Sequence, residues 1–230
     1  MLTPCITEVN ALLCYTRLSM DINLLQIFSL LVIILISMTV HEMMHAYVGY
    51  WLGDSTAKDE GRLSINPLAH IDPFMTILLP LLLAVTGAPI FGGAKPVPFN
   101  PHNLRWGELG SMLVALAGPF TNLLLAFVGF SILALTDMNS TIQYILQLWV
   151  LVNLGFFVFN MLPIPPLDGS RLIYYLAPNS VRRFMEVVEQ YGIIIIFALI
   201  LLFSPYLTSF MQLGINFFLS IFTAIFAGVI

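Results

Sequence analysis

A chain of 230 residues that is 59% hydrophobic and only 9% charged lacks the polar surface of a soluble globule, since soluble domains carry about 25% charged residues. Its apolar residues fall in long runs of the kind that bilayer spans require, which makes the class an all-α polytopic membrane protein. The net charge of −4 leaves no electrostatic footprint for a nucleic-acid partner.

Residues 1–21 read as a short tail, not a cleavable signal peptide. No basic region precedes an apolar core, and Glu8 and Arg17 interrupt the stretch. Cys5 and Cys14 read as ordinary small apolar residues, and nothing demands a disulfide between them. Ile22 to Val40 is a first span without a charge, and its apolar character continues to Gly53. Asp21 is placed to cap this helix and Gly53 to stop it. At 1.5 Å per residue such a helix runs about 47 Å, longer than the ~30 Å hydrocarbon core. Tyr47, Tyr50 and Trp51 near its end suit an interfacial aromatic belt.

Residues 54–72 are polar and turn-rich, an extramembrane or interfacial loop with room for a short strand or two. Phe74 to Val85 is apolar but short and contains Pro80. A Gly/Pro-rich stretch, 87–107, follows. Glu108 to Thr136 is the second clear span. A break at Asp137–Ser140 leads to a third, Thr141 to about Leu162. The Pro-rich kink Pro163–Gly169 comes next. Beyond Arg182–Arg183, two more apolar segments, Val187–Phe203 and Tyr206–Ile230, are separated by Ser204–Pro205. The expected architecture is about five spanning helices plus a short re-entrant or interfacial segment. They form a single membrane-embedded core, 22–230.

His41-Glu42-Met43-Met44-His45 is an H-E-x-x-H motif inside the first apolar helix. Imidazoles four residues apart project from one helical face and suit one zinc ion. Glu42 is turned by about 100° from His41 and can reach a water on the metal without ligating it. Ionisable residues inside a span are costly and usually functional. From Trp51 back to His41 is ten residues, about 15 Å of helix, so the motif lies below the membrane surface. A third ligand is needed. His70, His102, Asp54, Asp59 and Asp72 lie in polar loops where such residues are unremarkable. Asp168 follows a span in Pro-Pro-Leu-Asp-Gly, where broken helix exposes backbone, although it could also cap a helix over 170–177.

Three separated motifs, His41–Ala46, Ala117-Gly118-Pro119-Phe120-Thr121-Asn122 and Asn160–Arg171, occur in the order found in the site-2 proteases, the zinc-dependent intramembrane proteases that this chain resembles. The resemblance implies that His41, His45 and Asp168 are the zinc ligands and Glu42 the general base. It implies that Asn122 helps bind substrate backbone or the developing oxyanion. It also implies one zinc ion, transmembrane protein substrates and a bacterial inner membrane. The stretch Gly92–Pro98 resembles a loop of the compact bacterial members. No insertion is long enough for a PDZ or nucleotide-sensing domain.

Convergence of His41, His45 and Asp168 on one metal constrains topology. The hairpin formed by the second and third spans adds two crossings, so residues 53–107 must contribute an even number, zero being simplest. Phe74 to Val85 then does not cross fully. In that arrangement Lys58, Arg62, Lys95, Arg105, Arg171, Arg182 and Arg183 share one side and Arg17 lies on the other. The positive-inside rule makes the richer side cytoplasmic, with the active site opening toward it. The expected activity is zinc-dependent hydrolysis of peptide bonds in or near transmembrane segments, with Glu42 acting on a water at the metal. The Gly/Pro-rich stretch Gly87 to Pro101 could offer an edge to an unwound substrate. The alternative is a transporter or ion relay that uses the buried His/Glu cluster. A zinc protease of another type would take Glu186 or Glu189 as third ligand.

Overall fold

The computed structural model describes residues 24–73, 78 and 93–228. Helix α1 (Leu24–Trp51) is 28 residues long, about 42 Å at 1.5 Å per residue. It stops where expected. Gly53 takes φ +108°, and the Asp54 N–H reaches back to the Gly49 carbonyl at 3.0 Å. A side chain at position 53 would disfavour that left-handed turn. The tail with Cys5, Cys14 and the expected cap Asp21 lies outside the described residues.

The loop after α1 contains one turn of helix, α2 (Thr56–Asp59), and two short 3-10 turns, Pro67–Ala69 and Pro101–Asn103. Asn66 and Asn100 start the 3-10 turns by accepting the N–H two residues on. No strand occurs among the described residues, against the expected room for one or two. Side chains take the backbone groups that a ladder would have used. The buried Asp54 carboxylate accepts from the Thr56 N–H and hydroxyl, the Asn100 N–H and the Asn103 amide. Burial opposes that charge, but these hydrogen bonds outweigh it and hold the Asp54 carboxyl below its ordinary pKa. The buried Arg62 guanidinium donates to the carbonyls of Ala69, Lys95 and Pro96. Of the expected substrate edge, Gly93–Asn100 is irregular, its Lys95 and Pro96 carbonyls are taken by Arg62, and Gly92 lies outside the described residues.

The chain comes back to where it left α1. Lys95 N–H bonds to the His70 carbonyl and Arg105 N–H to the Leu52 carbonyl, both at 2.8 Å. Residues 53–104 therefore begin and end at the same end of α1, as an even number of crossings requires. The segment Phe74–Val85 lies outside the described residues except for Leu78.

Helices α3 (Glu108–Leu135) and α4 (Ser140–Asn160) form a hairpin packed on α1. The turn between them is fixed by Asn139, whose side chain accepts the Ile142 N–H at 2.9 Å. After a Pro-rich loop come α5 (Ser170–Leu176), α6 (Asn179–Gln190), α7 (Gly192–Leu202) and α8 (Ser204–Phe226). Ala126 and Phe130 of α3, Leu154 and Phe157 of α4, and Ile215 and Phe222 of α8 close the main apolar core.

Helices α1, α3, α4 and α8 are each long and apolar enough to cross a membrane. The expected span Val187–Phe203 is not one helix. Its first residues belong to α6, and α6 and α7 pass the same test only as a pair bent by 79°. Alone, the 11 residues of α7 reach about 16 Å, short of a ~30 Å core. Arg171 pairs with Glu189, the Tyr174 hydroxyl donates to Glu186 at 2.6 Å, and Arg182 donates to the Ala177 and Tyr175 carbonyls. These ties hold α6 against α5. The Glu186 bond, burial, and the charges of Glu186 and Glu108 push the Tyr174 phenol up to about 12.

Asp54→Asn leaves the Asn100 N–H facing an amide nitrogen or removes an acceptor from another donor. We expect a loss of about 2 kcal/mol in stability, read as a melting temperature lowered by several degrees in detergent. An unchanged melt would show that the loop is held elsewhere.

Candidate metal centre

Helix α1 carries His41 and His45 on one face, with ring centroids 4.6 Å apart and planes at 84°. Both are buried. Helix α3 crosses α1 beside them at Gly118. A Cβ built there would lie 2.5 Å from His45 Nε2 and 2.6 Å from His41 Nε2. The missing side chain leaves open the space in front of both nitrogens. His45 Nδ1 donates to the Val114 carbonyl at 2.8 Å. A carbonyl only accepts, so His45 carries a proton on Nδ1, and in the neutral ring Nε2 holds the lone pair. His41 Nδ1 lies 2.6 Å from Asn122 Oδ1.

Asp168 arrives from the loop after α4. Gly169 N–H bonds to the Asn160 carbonyl at 2.7 Å, folding the loop back over the end of that helix. A Cβ at Gly169 would lie 2.5 Å from the Met161 carbonyl group, so the turn accepts no side chain there. Asp168 does not cap the next helix. The cap position of α5 is Gly169, with no side-chain hydrogen bond. Instead Asp168 Oδ2 lies 3.2 Å from His41 Nε2 and 3.6 Å from His45 Nε2.

These three residues form a group whose ligand atoms all lie within 4.8 Å of one another. Tetrahedral zinc with ligands at 2.0–2.1 Å separates them by about 3.4 Å. The two measured nitrogen–oxygen distances straddle that value. Two imidazole nitrogens, one carboxylate oxygen and the space left at Gly118 thus fit a zinc site with an open fourth position. Glu42 is half-buried and next in sequence to His41. Its carboxylate makes no hydrogen bond to another described residue.

The other sequence candidates lie elsewhere. His70 is fully buried in the loop, with Nε2 at 2.8 Å from the Ser64 carbonyl. His102 is exposed, Asp54 is engaged by its four donors, and Asp59 accepts from Ser55. Asp72 is not in the group. Glu186 and Glu189 are held by Tyr174 and Arg171. Asn122 is fully buried, and its amide nitrogen donates to the Ser37 carbonyl and to Asn153 Oδ1. Both of its amide hydrogens thus sit on protein acceptors, an arrangement unlike the substrate or oxyanion contact that the resemblance implies. Sequence reasoning passed over Asn153 and gave Gly118 no role. An amide in the middle of the apolar run Leu148–Leu154 was the available signal, because a polar group in a span needs a partner.

Residues 135–203, which include Asp168, match peptidase family M50. YwhC of Bacillus subtilis, which carries a provisional zinc-metalloprotease name, is 40% identical over 208 residues, covering 86% of this chain and 92% of its own. Rip2 of Mycolicibacterium smegmatis, similarly named, is 32% identical over 177 residues, 74% of this chain and 65% of its own. MJ0611 of Methanocaldococcus jannaschii, with the same kind of name, is 43% identical over a shorter stretch of 60 residues, 26% of this chain and 31% of its own. No solved structure matches the chain. The fold and site define an integral membrane metalloprotease dependent on zinc. The chain belongs to peptidase family M50, the site-2 protease family.

Gly118→Ala places a methyl against both Nε2 atoms, whereas a Cβ at Gly155 in α4 meets nothing within 4 Å. We expect Gly118→Ala to purify with little zinc and Gly155→Ala with the wild-type content. Equal zinc in both would remove Gly118 from the site.

Proposed function

We propose that this protease hydrolyses peptide bonds in or near transmembrane segments of membrane proteins, with His41, His45 and Asp168 holding one zinc ion. The observation that carries the reading is the convergence of two imidazole nitrogens and a carboxylate between helices apolar enough to span a bilayer. Bound zinc supplies a Lewis acid that lowers the pKa of water toward ~7 and takes up charge from the scissile carbonyl. Glu42 accepts the proton of the attacking water and returns it to the leaving amine. Its half-buried carboxylate, next in sequence to His41 and without a hydrogen bond to another described residue, suits that shuttle. The α1–α3 crossing and the α4–α5 loop hold the reacting groups in place and limit the water that reaches them.

The active site opens toward the cytoplasm, and the membrane is a bacterial inner membrane. Supporting this, Arg105 is tied to the C-terminal end of α1, and Glu108 at the start of α3 acts electrostatically on Tyr174 of α5. The basic residues of both loops thus gather at one end of the bundle, the side that the positive-inside rule makes cytoplasmic. A membrane-impermeant amine reagent applied to intact cells should leave Lys95 unlabelled. Ready labelling would reverse the orientation.

Two substitutions separate the roles. Asp168→Ala should lower zinc content and cleavage of a transmembrane-helix reporter together. Glu42→Gln should keep its zinc and lose roughly 10²–10⁴-fold in cleavage rate. Full zinc in Asp168→Ala would place the third ligand elsewhere. Undiminished cleavage in Glu42→Gln would end its assignment as base.

A further inference from the structure

We infer that Asn122 and Asn153 are positioning residues that form a directional amide relay, holding His41 in the tautomer whose Nε2 faces the metal. The inference rests on the reading of His41 as a zinc ligand. Its starting point is a group that cannot change role. The Trp149 carbonyl only accepts, and Asn153 Nδ2 lies 2.9 Å from it. Asn153 must therefore turn its Oδ1 the other way, where it meets Asn122 Nδ2 at 2.9 Å. That nitrogen also faces the Ser37 carbonyl at 3.3 Å, a second group that only accepts. The orientation of Asn122 is thus set twice over, and its Oδ1 is left facing His41 Nδ1 at 2.6 Å. Opposite an acceptor, Nδ1 must carry the proton, so in the neutral ring it is Nε2 that holds the lone pair a metal would take.

Reversing Asn122 would set its oxygen against two other oxygens and its NH2 group against His41. Asn122 and Asn153 are both fully buried, so no solvent would relieve the mismatch. His45 receives the same instruction from a fixed backbone carbonyl, Val114. His41 receives it from side chains on α3 and α4, and the relay ends at Ser37, one turn before His41 on α1 itself. It therefore connects the three central helices as well as orienting the ring. In this arrangement Asn122 has no amide hydrogen left for substrate.

The test is zinc affinity, measured by competition with a chromogenic chelator on detergent-purified protein whose helicity and elution are those of the wild type. Asn122→Leu removes the acceptor for His41 and should weaken zinc binding roughly 10–100-fold. Asn122→Asp keeps that acceptor while losing both donors, and should restore most of the affinity. A role in helix packing alone predicts that Asp is as harmful as Leu. Asn153→Ala touches neither His41 nor the metal and should weaken zinc in the same direction by a smaller factor. Wild-type affinity in Asn122→Leu with loss of cleavage would overturn the relay and return Asn122 to substrate. Aspartate no better than leucine would also overturn it. Should the position 122 variants not fold, unchanged affinity in Asn153→Ala overturns it alone. His41→Ala separates the two levels. Undiminished zinc there ends the metal-site reading, whereas lost zinc there with intact affinity in the asparagine variants ends only the relay.

Discussion

A polar side chain held among apolar helices costs free energy unless protein groups replace the water it has lost. His41, His45, Asn122 and Asn153 are buried within helices of bilayer-spanning character, and they meet that demand through one another and through backbone carbonyls. The same requirement shapes the chemistry. Because Val114 and Trp149 offer acceptors only, hydrogen-bond satisfaction and proton placement become a single problem. Its solution turns both Nε2 atoms toward Asp168. Satisfying the Nδ1 side of each ring is what makes the Nε2 side available to a metal.

Close helix approach follows from this need. Side chains as short as asparagine bridge helices only when the backbones lie near one another, and interfaces within membranes are accordingly rich in small residues. Gly118 provides that proximity at the α1–α3 crossing, with its missing Cβ directly in front of the two imidazoles. One small residue thus does two things: it brings Asn122, one turn further along α3, within reach of His41, and it leaves room in front of the two Nε2 atoms. Those roles pull against any larger residue for separate reasons, one in packing and one in coordination.

The parts legible in sequence were those governed by local pattern. Apolar runs located α3 and α4 to within a residue or two at each end, because composition alone decides which segments enter a bilayer. The stop at Gly53 was legible because a left-handed turn singles out glycine. Pairing four residues apart identified His41 and His45. The bend between α6 and α7 was not legible, since hydropathy registers neither the break at Tyr191 nor the contacts of α6 with α5, Arg171 with Glu189 and Tyr174 with Glu186. The strandless loop was hidden for a similar reason: Arg62 finds its acceptors at Lys95 and Pro96, more than thirty residues on. Asn153 announced itself by polarity, but its partner was not deducible from spacing. The family motif marked Asn122 as functional, while only the geometry says what its amide touches.

The three proposed ligands are not equivalent in how they are held. His41 and His45 ride on one continuous helix, so their spacing is set as soon as α1 forms. Asp168 lies 127 positions after His41 and depends on the α3–α4 hairpin docking and on the Gly169 turn folding back over Met161. A metal held by all three therefore binds only the docked arrangement, and by linkage it stabilises that arrangement against any in which the loop swings away. The consequence reaches α5 and α6. The Arg171–Glu189 pair and the Tyr174–Glu186 hydrogen bond fasten α6 to the helix that begins two residues after Asp168. In a site built this way the histidine pair is set by one helix and the carboxylate by the docking of a loop.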